Sequence, residues 1–281
     1  MNYIVNIIRQ YKTSLLLIYF YVLVVQLMFL AEPYILGKTI DGLLQKDYTW
    51  LIVFTVTLIA GNVFTYKRMI FDTKVYTKIY NDLVFNYLDH DKGADTSAKI
   101  ARTDMAHNII HFLENDIAYY IMSIVSIVGS LCFIFAQSMA TGFVVVACVP
   151  PVIFIVYAFY KKIAQGTKVG HTQYEQKMTV MQTNDRSLIR SFFLRRSKIV
   201  IFQSTIQGKN WTALQSVRAV FLVIALVVFT HGFAGLTQGQ AVAMYSYVFQ
   251  FLISLMSIPV GMETFTRIKD VIGRIKAPLS N

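Results

Sequence analysis

The composition of this 281-residue chain is typical of a membrane protein. Hydrophobic residues make up 56% of the chain and charged residues only 15%, whereas soluble domains contain about 25% charged and about 45–50% apolar residues. The net charge of +11 comes from basic residues that flank long apolar blocks. This distribution argues against a nucleic-acid interface, which needs basic and stacking aromatic residues together on one folded face.

The apolar blocks predict six transmembrane helices. A bilayer core about 30 Å thick requires roughly 20 apolar residues per helix, and soluble helices do not contain several uncharged runs of that length. The uncharged block Ile117–Tyr160 is too long for one helix, and it divides at the small polar stretch Ala136–Thr141. A later block divides at the glycine-rich stretch His231–Gln240. The six predicted spans lie near residues 14–36, 49–67, 117–137, 139–160, 217–236 and 240–262.

The basic residues predict the orientation of these spans. All but Lys38 and Lys46 of the 26 Lys and Arg residues lie on one side of them. Positive residues are retained on the cytoplasmic side, so both termini are predicted to be cytoplasmic, in a plasma membrane of the bacterial inner-membrane kind. Membrane lipids are the first predicted partners, because the basic residues border the headgroup region.

Two long stretches between the spans complete the predicted architecture. Arg68–Asp116 and Lys161–Arg218 contain no proline and carry apolar residues at helical spacing, as at Val75, Ile79 and Leu83. Spans 2 to 5 are therefore expected to continue as helices for roughly 25 Å beyond the membrane. The predicted fold is an all-α membrane protein with two long cytoplasmic helical hairpins, and residues 1–281 form a single six-helix transmembrane domain.

Few polar residues interrupt the middle of the spans. The candidate cavity residues are Gln26, Asn62, Tyr245 and Gln250. They either line a central cavity or form hydrogen bonds to neighbouring helices. Their scarcity predicts that any transported substrate is amphipathic or hydrophobic.

Glu32 is the one acidic residue within the first predicted span. A carboxyl group inside a membrane is costly, and it is a functional candidate by default. One interpretation is a protonatable residue in a carrier driven by an ion gradient. The other is that the side chain reaches external water from the end of the helix beside Pro33.

Two histidines have a spacing that can bind a metal ion, but the rest of the metal-binding motif is missing. His107 and His111 lie four residues apart on one helix face, but the segment lacks the glutamate of the H-E-x-x-H motif. No metal ligand is predicted.

Two stretches of the chain contain distinctive motifs. Ala31–Leu44 has a proline, then a glycine, then an isoleucine–aspartate pair. Ala234–Ile275 has a G-L-T-x-G turn followed by an aromatic helix with a late proline, Pro259. Both stretches resemble the transmembrane domain of ABC exporters of the six-helix half-transporter type, and the stretch between spans 2 and 3 is similar to that family in shape. The resemblance runs from Leu15 to Lys276.

This resemblance implies a dimer, homomeric or heteromeric, in which the two domains intertwine. It also implies that short coupling helices, near residues 87–96 and 184–196, dock onto nucleotide-binding domains. The candidate coupling residues at these positions are Tyr87, Leu88, Asp89, Asp91, Ser187, Leu188, Ile189 and Arg190.

The sequence contains no phosphate-binding loop of the form G-x-x-x-x-G-K-[ST]. Gly37-Lys38-Thr39 lacks the first glycine, because Glu32 occupies that position. No catalytic or cofactor-binding residue is therefore predicted, and ATP and Mg²⁺ are expected only through a separate nucleotide-binding subunit. The predicted function is the membrane-spanning subunit of an ABC-type exporter. The alternatives are an ion-gradient-driven carrier and a membrane scaffold with an exporter-like fold.

Overall fold

The computed structural model describes residues 9–90, 103, 106–107, 110–160, 162, 180–183, 185–232 and 235–276, with only the backbone for 87–90 and 258–276. Contacts divide the chain into two compact units: unit 1 is Met1–Gly142 with Val228–Asn281, and unit 2 is Phe143–Val227. The helices are α1 Lys12–Leu44, α2 Thr49–His90, α3 Ile117–Gln137, α4 Met139–Val146, α5 149–160, α6 Arg186–Gly232 and α7 Gln238–Lys276.

Six helices in the described part of the chain are long and apolar enough to cross a membrane, counting α4 and α5 as one. No strand occurs among the described residues. These observations confirm the predicted all-α membrane fold. Three helices are much longer than a bilayer requires: α2 has 42 residues, α6 has 47 and α7 has 39, which corresponds to about 63, 70 and 58 Å at 1.5 Å per residue.

The turn between α3 and α4 consists of a single residue. Ser138 has an extended backbone, with φ of −154° and ψ of 110°. Its hydroxyl oxygen accepts hydrogen bonds from the Thr141 N–H at 3.3 Å and from the Thr141 hydroxyl at 2.9 Å. A serine in this position caps the first turn of the following helix. The turn falls within the stretch Ala136–Thr141 that the sequence indicates.

The fourth predicted span is two helical segments, since α4 ends at Val146 and the chain is helical again from residue 149. Pro150 and Pro151 follow the break. Proline has no N–H, so the carbonyls of Val146 and Ala147 lose the donors that a continuous helix would give them. The prolines thus account for the interruption.

The first part of α1, the second half of α2 and the segment before α3 share a hydrophobic core in unit 1. Its buried residues are Tyr11, Leu15, Ile18, Val22, Tyr76, Ile79, Leu83, Ala106, Ile110, Leu113 and Ala118. The sequence stripe that predicts a helical continuation of span 2 supplies Ile79 and Leu83 to this core. Burial of the stripe explains why α2 continues as a helix so far past the length needed to span a bilayer.

Tyrosine hydroxyls satisfy polar groups at the border of this core. A turn of π-helix, Phe112–Asp116, precedes α3. Within it, the Leu113 carbonyl accepts hydrogen bonds from the hydroxyls of Tyr76 at 2.9 Å and Tyr19 at 3.2 Å. The Tyr11 hydroxyl donates to Asp82 Oδ2 at 2.5 Å, and burial together with that bond raises the pKa of Tyr11 to about 12. These bonds tie the start of α1 and the π-helical turn to α2.

Candidate functional site

A cluster of amide and hydroxyl groups joins three helices of unit 1. Gln26 on α1 donates from Nε2 to Ser126 Oγ on α3 at 2.8 Å, and Gln250 on α7 donates to the same oxygen at 3.2 Å. Gln26 is only 5% exposed and Ser126 is also 5% exposed. Of the four candidate cavity residues, the structure therefore brings Gln26 and Gln250 to one shared hydrogen-bond acceptor.

Further serines extend this polar contact along α3. Ser123, Ser126 and Ser130 repeat at i, i+3 and i+7, which places them on one helix face, and all three are buried. Ser257 on α7 donates to Ser123 Oγ at 2.8 Å. Sequence reasoning missed these serines, although their helical spacing was a usable signal. Small hydroxyl residues at a helix interface allow close approach and hydrogen bonding within a membrane.

One acceptor in the cluster is unsatisfied. Gln250 Oε1 is buried and has no hydrogen-bond partner among the residues that the structure describes. Leaving a buried acceptor unpaired costs roughly 1–3 kcal/mol. Such a group can be retained at a functional site, where a ligand or water supplies the missing donor.

Glu32 and Asn62 both line a different place, a shallow open cleft between α1 and α2. Val25, Met28, Phe29, Thr57, Leu58 and Gly61 complete its lining. Glu32 is partly buried and Asn62 is exposed. Glu32 forms no hydrogen bond or ion pair with any residue in the described part of the chain.

Tyr245 belongs to neither group. Its side chain is 43% exposed and stacks on Phe249, with ring centroids 5.8 Å apart. The next aromatic on α7, Tyr247, is instead fully buried, stacks on Phe133 of α3 at 4.6 Å and donates to the Leu30 carbonyl of α1 at 3.1 Å. The structure thus separates the four candidate cavity residues into a pair that shares one acceptor, a residue of the α1–α2 cleft and an exposed tyrosine.

Asp41 joins the two motifs that carry the family resemblance. Its carboxylate accepts hydrogen bonds from the Thr237 hydroxyl at 2.7 Å and from the Gly239 N–H at 2.8 Å. Asp41 belongs to the isoleucine–aspartate pair of α1, while Thr237 and Gly239 belong to the G-L-T-x-G turn that leads into α7. Gly235 in this turn has φ of +93°, a conformation that favours glycine.

The start of α7 is also capped from within its own sequence. The Gln240 N–H donates to Thr237 Oγ1 at 3.2 Å, and the Thr237 N–H donates to Gln240 Oε1 at 3.1 Å. This reciprocal pair is a capping box. A carboxylate at the N-terminus of a helix is additionally favoured by the helix dipole. Asp41 therefore connects the C-terminal end of α1 to the first turn of α7.

We expect Asp41→Ala to lower the free energy of unfolding by about 1–2 kcal/mol, because it removes an acceptor from two donors at a helix N-terminus. Asp41→Asn keeps one acceptor oxygen and should cost less. Unfolding of the purified protein in mixed micelles, followed by circular dichroism, measures both. An Asp41→Ala variant as stable as the unmodified protein would contradict this role.

The candidate coupling residues lie at helix ends. Tyr87, Leu88 and Asp89 are in the last turn of α2, and Asp91 lies outside the described residues. Ser187, Leu188, Ile189 and Arg190 form the first turn of α6, which is one continuous helix from Arg186 and not a short helix of its own.

Asp185 sets the start of α6. Its carboxylate accepts from the Ser187 hydroxyl at 2.7 Å, the Ser187 N–H at 2.8 Å and the Leu188 N–H at 3.3 Å. These bonds, led by the Ser187 hydroxyl, hold the pKa of Asp185 below its usual value. Leu188 beside this cap is 44% exposed, so the turn presents an apolar side chain at its surface.

Six apolar helices in the described part of the chain, three of them far longer than the membrane is thick, and a sparse polar core define an integral membrane protein. A model of the ABC transporter transmembrane region matches residues 4–239. That match covers most of the chain, so the protein belongs to this family and is a membrane subunit of an ABC-type transporter. No curated protein matches the chain. The matched range ends just after the G-L-T-x-G turn, so the resemblance in residues 240–275 stays a prediction.

Proposed function

We propose that this chain is the membrane-spanning subunit of an ABC-type exporter that moves an amphipathic or hydrophobic substrate. ATP hydrolysis is supplied by a separate nucleotide-binding subunit, which brings ATP and Mg²⁺. The functional unit is a dimer in a plasma membrane of the bacterial inner-membrane kind, with both termini in the cytoplasm. The observation that carries the proposal is the length of α2 and α6 in a chain of this family.

The excess helix length supports a docking role. A span of about 20 residues crosses the hydrocarbon core, so α2 and α6 each have more than twenty residues to spare. In α2 these residues are packed into the core of unit 1 through Tyr76, Ile79 and Leu83. A helix end that is held rigidly outside a membrane is suited to transmit movement from a soluble partner.

The polar content of the membrane part supports the substrate class. The buried polar groups described above are mostly hydroxyls and carboxamides bonded to each other, and Glu32 is the acidic residue of the first span. A hydrophilic substrate would need many polar partners along its path. An amphipathic substrate needs few, and the sparse set fits it.

Isolation of the tagged protein from its native membrane in mild detergent tests the proposal, with identification of the proteins that copurify and an assay of ATP hydrolysis. A stoichiometric ATPase subunit with vanadate-sensitive activity supports it. A homodimer without any ATPase contradicts it. That result would favour the ion-gradient carrier, for which the unpaired Glu32 is the first residue to examine, and after it the scaffold.

A charge in the first turn of α6 should uncouple the two subunits. Leu188 is exposed beside the Asp185 cap, and Leu188→Glu places a carboxylate where an apolar contact with the ATPase is proposed. Burying an unpaired charge at an interface costs several kcal/mol. We expect stimulation of the partner's ATPase to fall at least tenfold, about 1.4 kcal/mol.

Ile201→Glu is the matched control for this measurement. Ile201 lies on the same helix, is 65% exposed and is outside the candidate coupling segment. The control should keep the ATPase stimulation of the unmodified protein, and both variants should elute at the same size in gel filtration. Equal stimulation by Leu188→Glu and Ile201→Glu would remove the assignment of this turn.

A further inference from the structure

The cleft between α1 and α2 combines an apolar lining with one carboxylate that has no partner. Met28, Phe29 and Leu58 supply apolar surface, and Glu32 with Asn62 supplies polar groups. Within the described part of the chain, Glu32 has neither an ion pair nor a hydrogen bond. A carboxylate in a membrane span is costly to keep without a counter-charge, so its natural occupant is a cation.

A basic side chain of the same helix is held elsewhere. Lys38, six residues after Glu32, lies over the ring of Tyr34, with Nζ 5.9 Å from the ring centroid. Glu32 and Lys38 therefore do not neutralise each other, and the carboxylate of the cleft is left for a ligand.

A second acceptor lies on the same turn of α1. Pro33 follows Glu32 inside the helix and has no N–H. The Phe29 carbonyl therefore lacks the N–H that the residue four positions later normally provides. Phe29 itself lines the cleft. A primary ammonium group has three donors and no acceptor, which suits a carboxylate without a partner beside a helix turn that has a free carbonyl.

The floor of the cleft is open. A methyl group built on Gly61 would meet only Met28 Cε, at 3.8 Å, which is an ordinary contact. The apolar body of a ligand thus finds room beside Met28 and Leu58, and the aromatic ring of Phe29 adds a surface that attracts cations.

We infer that the α1–α2 cleft binds an amphipathic amine, with its ammonium group at Glu32 and its apolar body along Met28, Phe29 and Leu58. That the amine is a transported substrate rests on the exporter function proposed above; that the amine binds in the cleft does not. Binding at equilibrium requires no ATPase, so the two can fail independently.

The test measures binding of radiolabelled dodecylamine to the protein in phosphatidylcholine nanodiscs, with binding to empty nanodiscs subtracted. Dodecanol, with the same chain and no charge, is the comparison ligand. We expect saturable binding of the amine and at least tenfold weaker binding of the alcohol. Glu32→Gln should weaken amine binding at least tenfold and leave alcohol binding unchanged, since it removes the charge and keeps the shape.

Two further variants make the result decisive. Gly61→Leu fills the cleft and also favours the helix, so it should abolish saturable amine binding without loss of folded protein. Asp47→Asn alters an exposed carboxylate in the α1–α2 turn, outside the cleft, and should bind the amine normally. Equal amine binding by Glu32→Gln and the unmodified protein would overturn the inference, as would the absence of saturable binding.

A lipid headgroup is the other source of a primary ammonium group. Nanodiscs that contain phosphatidylethanolamine distinguish the two, because phosphatidylcholine has no N–H donor in its headgroup. Undiminished dodecylamine binding in the mixed discs supports a free amine as the occupant. Complete displacement by phosphatidylethanolamine would assign the cleft to lipid and overturn the proposed occupant.

Discussion

Gly239→Ala should destabilise the protein by at least about 2 kcal/mol. A Cβ atom on Gly239 would overlap the Gly37 carbonyl oxygen and lie 2.7 Å from Asp41 Oδ2. Because the Gly37 carbonyl oxygen is a backbone atom and cannot rotate away as a side chain could, α1 and the start of α7 would have to separate. Overpacking of this kind costs about 1–3 kcal/mol, and the separation also weakens the bond from the Gly239 N–H to Asp41, worth about 1 kcal/mol as a helix cap.

Gly37→Ala tests the same contact from the other helix. Its Cβ would lie 2.6 Å from the Gly239 carbonyl oxygen and 3.1 Å from Ala243 Cβ, so a similar loss is expected. Gly208→Ala is the matched control, because Gly208 is in the interior of α6 with no atom within 4 Å of the added group. There alanine should stabilise the helix by about 0.5–1 kcal/mol.

Unfolding in mixed micelles gives these three free energies on one scale. The expected order of stability is Gly208→Ala above the unmodified protein, and both above Gly37→Ala and Gly239→Ala. If all three alanine variants behave alike, the close approach of α1 and α7 does not govern stability.

Ser126→Ala should cost about 1–3 kcal/mol. The substitution leaves the carboxamide N–H groups of Gln26 and Gln250 without their shared acceptor, and a buried unpaired donor carries its full desolvation cost. Single hydrogen bonds between membrane helices average about 0.6 kcal/mol and reach about 1.7 kcal/mol, so two lost at once account for the estimate.

The polar cluster offers an internal check on this reasoning. Replacing all three residues, with Gln26→Leu, Ser126→Ala and Gln250→Leu together, removes donors and acceptor at the same time. Removal of both partners of a buried bond can be nearly neutral. The triple variant should therefore be more stable than Ser126→Ala alone, and the energies should be strongly non-additive.

Ser216→Ala controls for the loss of a serine hydroxyl. Ser216 is exposed on α6, and among the described residues its hydroxyl bonds only to the Thr212 carbonyl of its own helix, at 2.9 Å. Its replacement should change stability by less than about 0.5 kcal/mol. A Ser126→Ala variant that matches Ser216→Ala would show that the two glutamines find other partners.

The membrane character of the protein could be predicted from the sequence because the lipid hydrocarbon requires the same pattern, a long run of uncharged residues, of every helix that crosses it. Hydrocarbon excludes charge over about 20 residues at a time, so the positions of Asp, Glu, Lys and Arg indicated six apolar helices before any contact was known. The stripe of Ile79 and Leu83 likewise predicted the long continuation of α2, because the apolar face of an amphipathic helix packs against other apolar residues of the protein. The turn at Ser138 was predictable because the small polar stretch Ala136–Thr141 interrupts an apolar block that is too long for one helix.

Pairings between helices could not be predicted from the sequence alone. Asp41 and Thr237 are 196 residues apart, and Gln26 and Ser126 are 100 apart. The sequence named Gln26 and Gln250 as polar residues of a span but gave no sign that both bond to Ser126. It placed Asn62 with the other candidate cavity residues, whereas the structure places it beside Glu32.

The sequence by itself determined which segments are helical and apolar, because each segment's composition alone decides whether it is stable in a bilayer. Only the tertiary structure decided which polar groups face each other, because the partner of a buried donor depends on the rotation and depth of each helix. Those are set by packing details such as the Gly37–Gly239 contact, and many arrangements of six apolar helices satisfy the same hydropathy pattern.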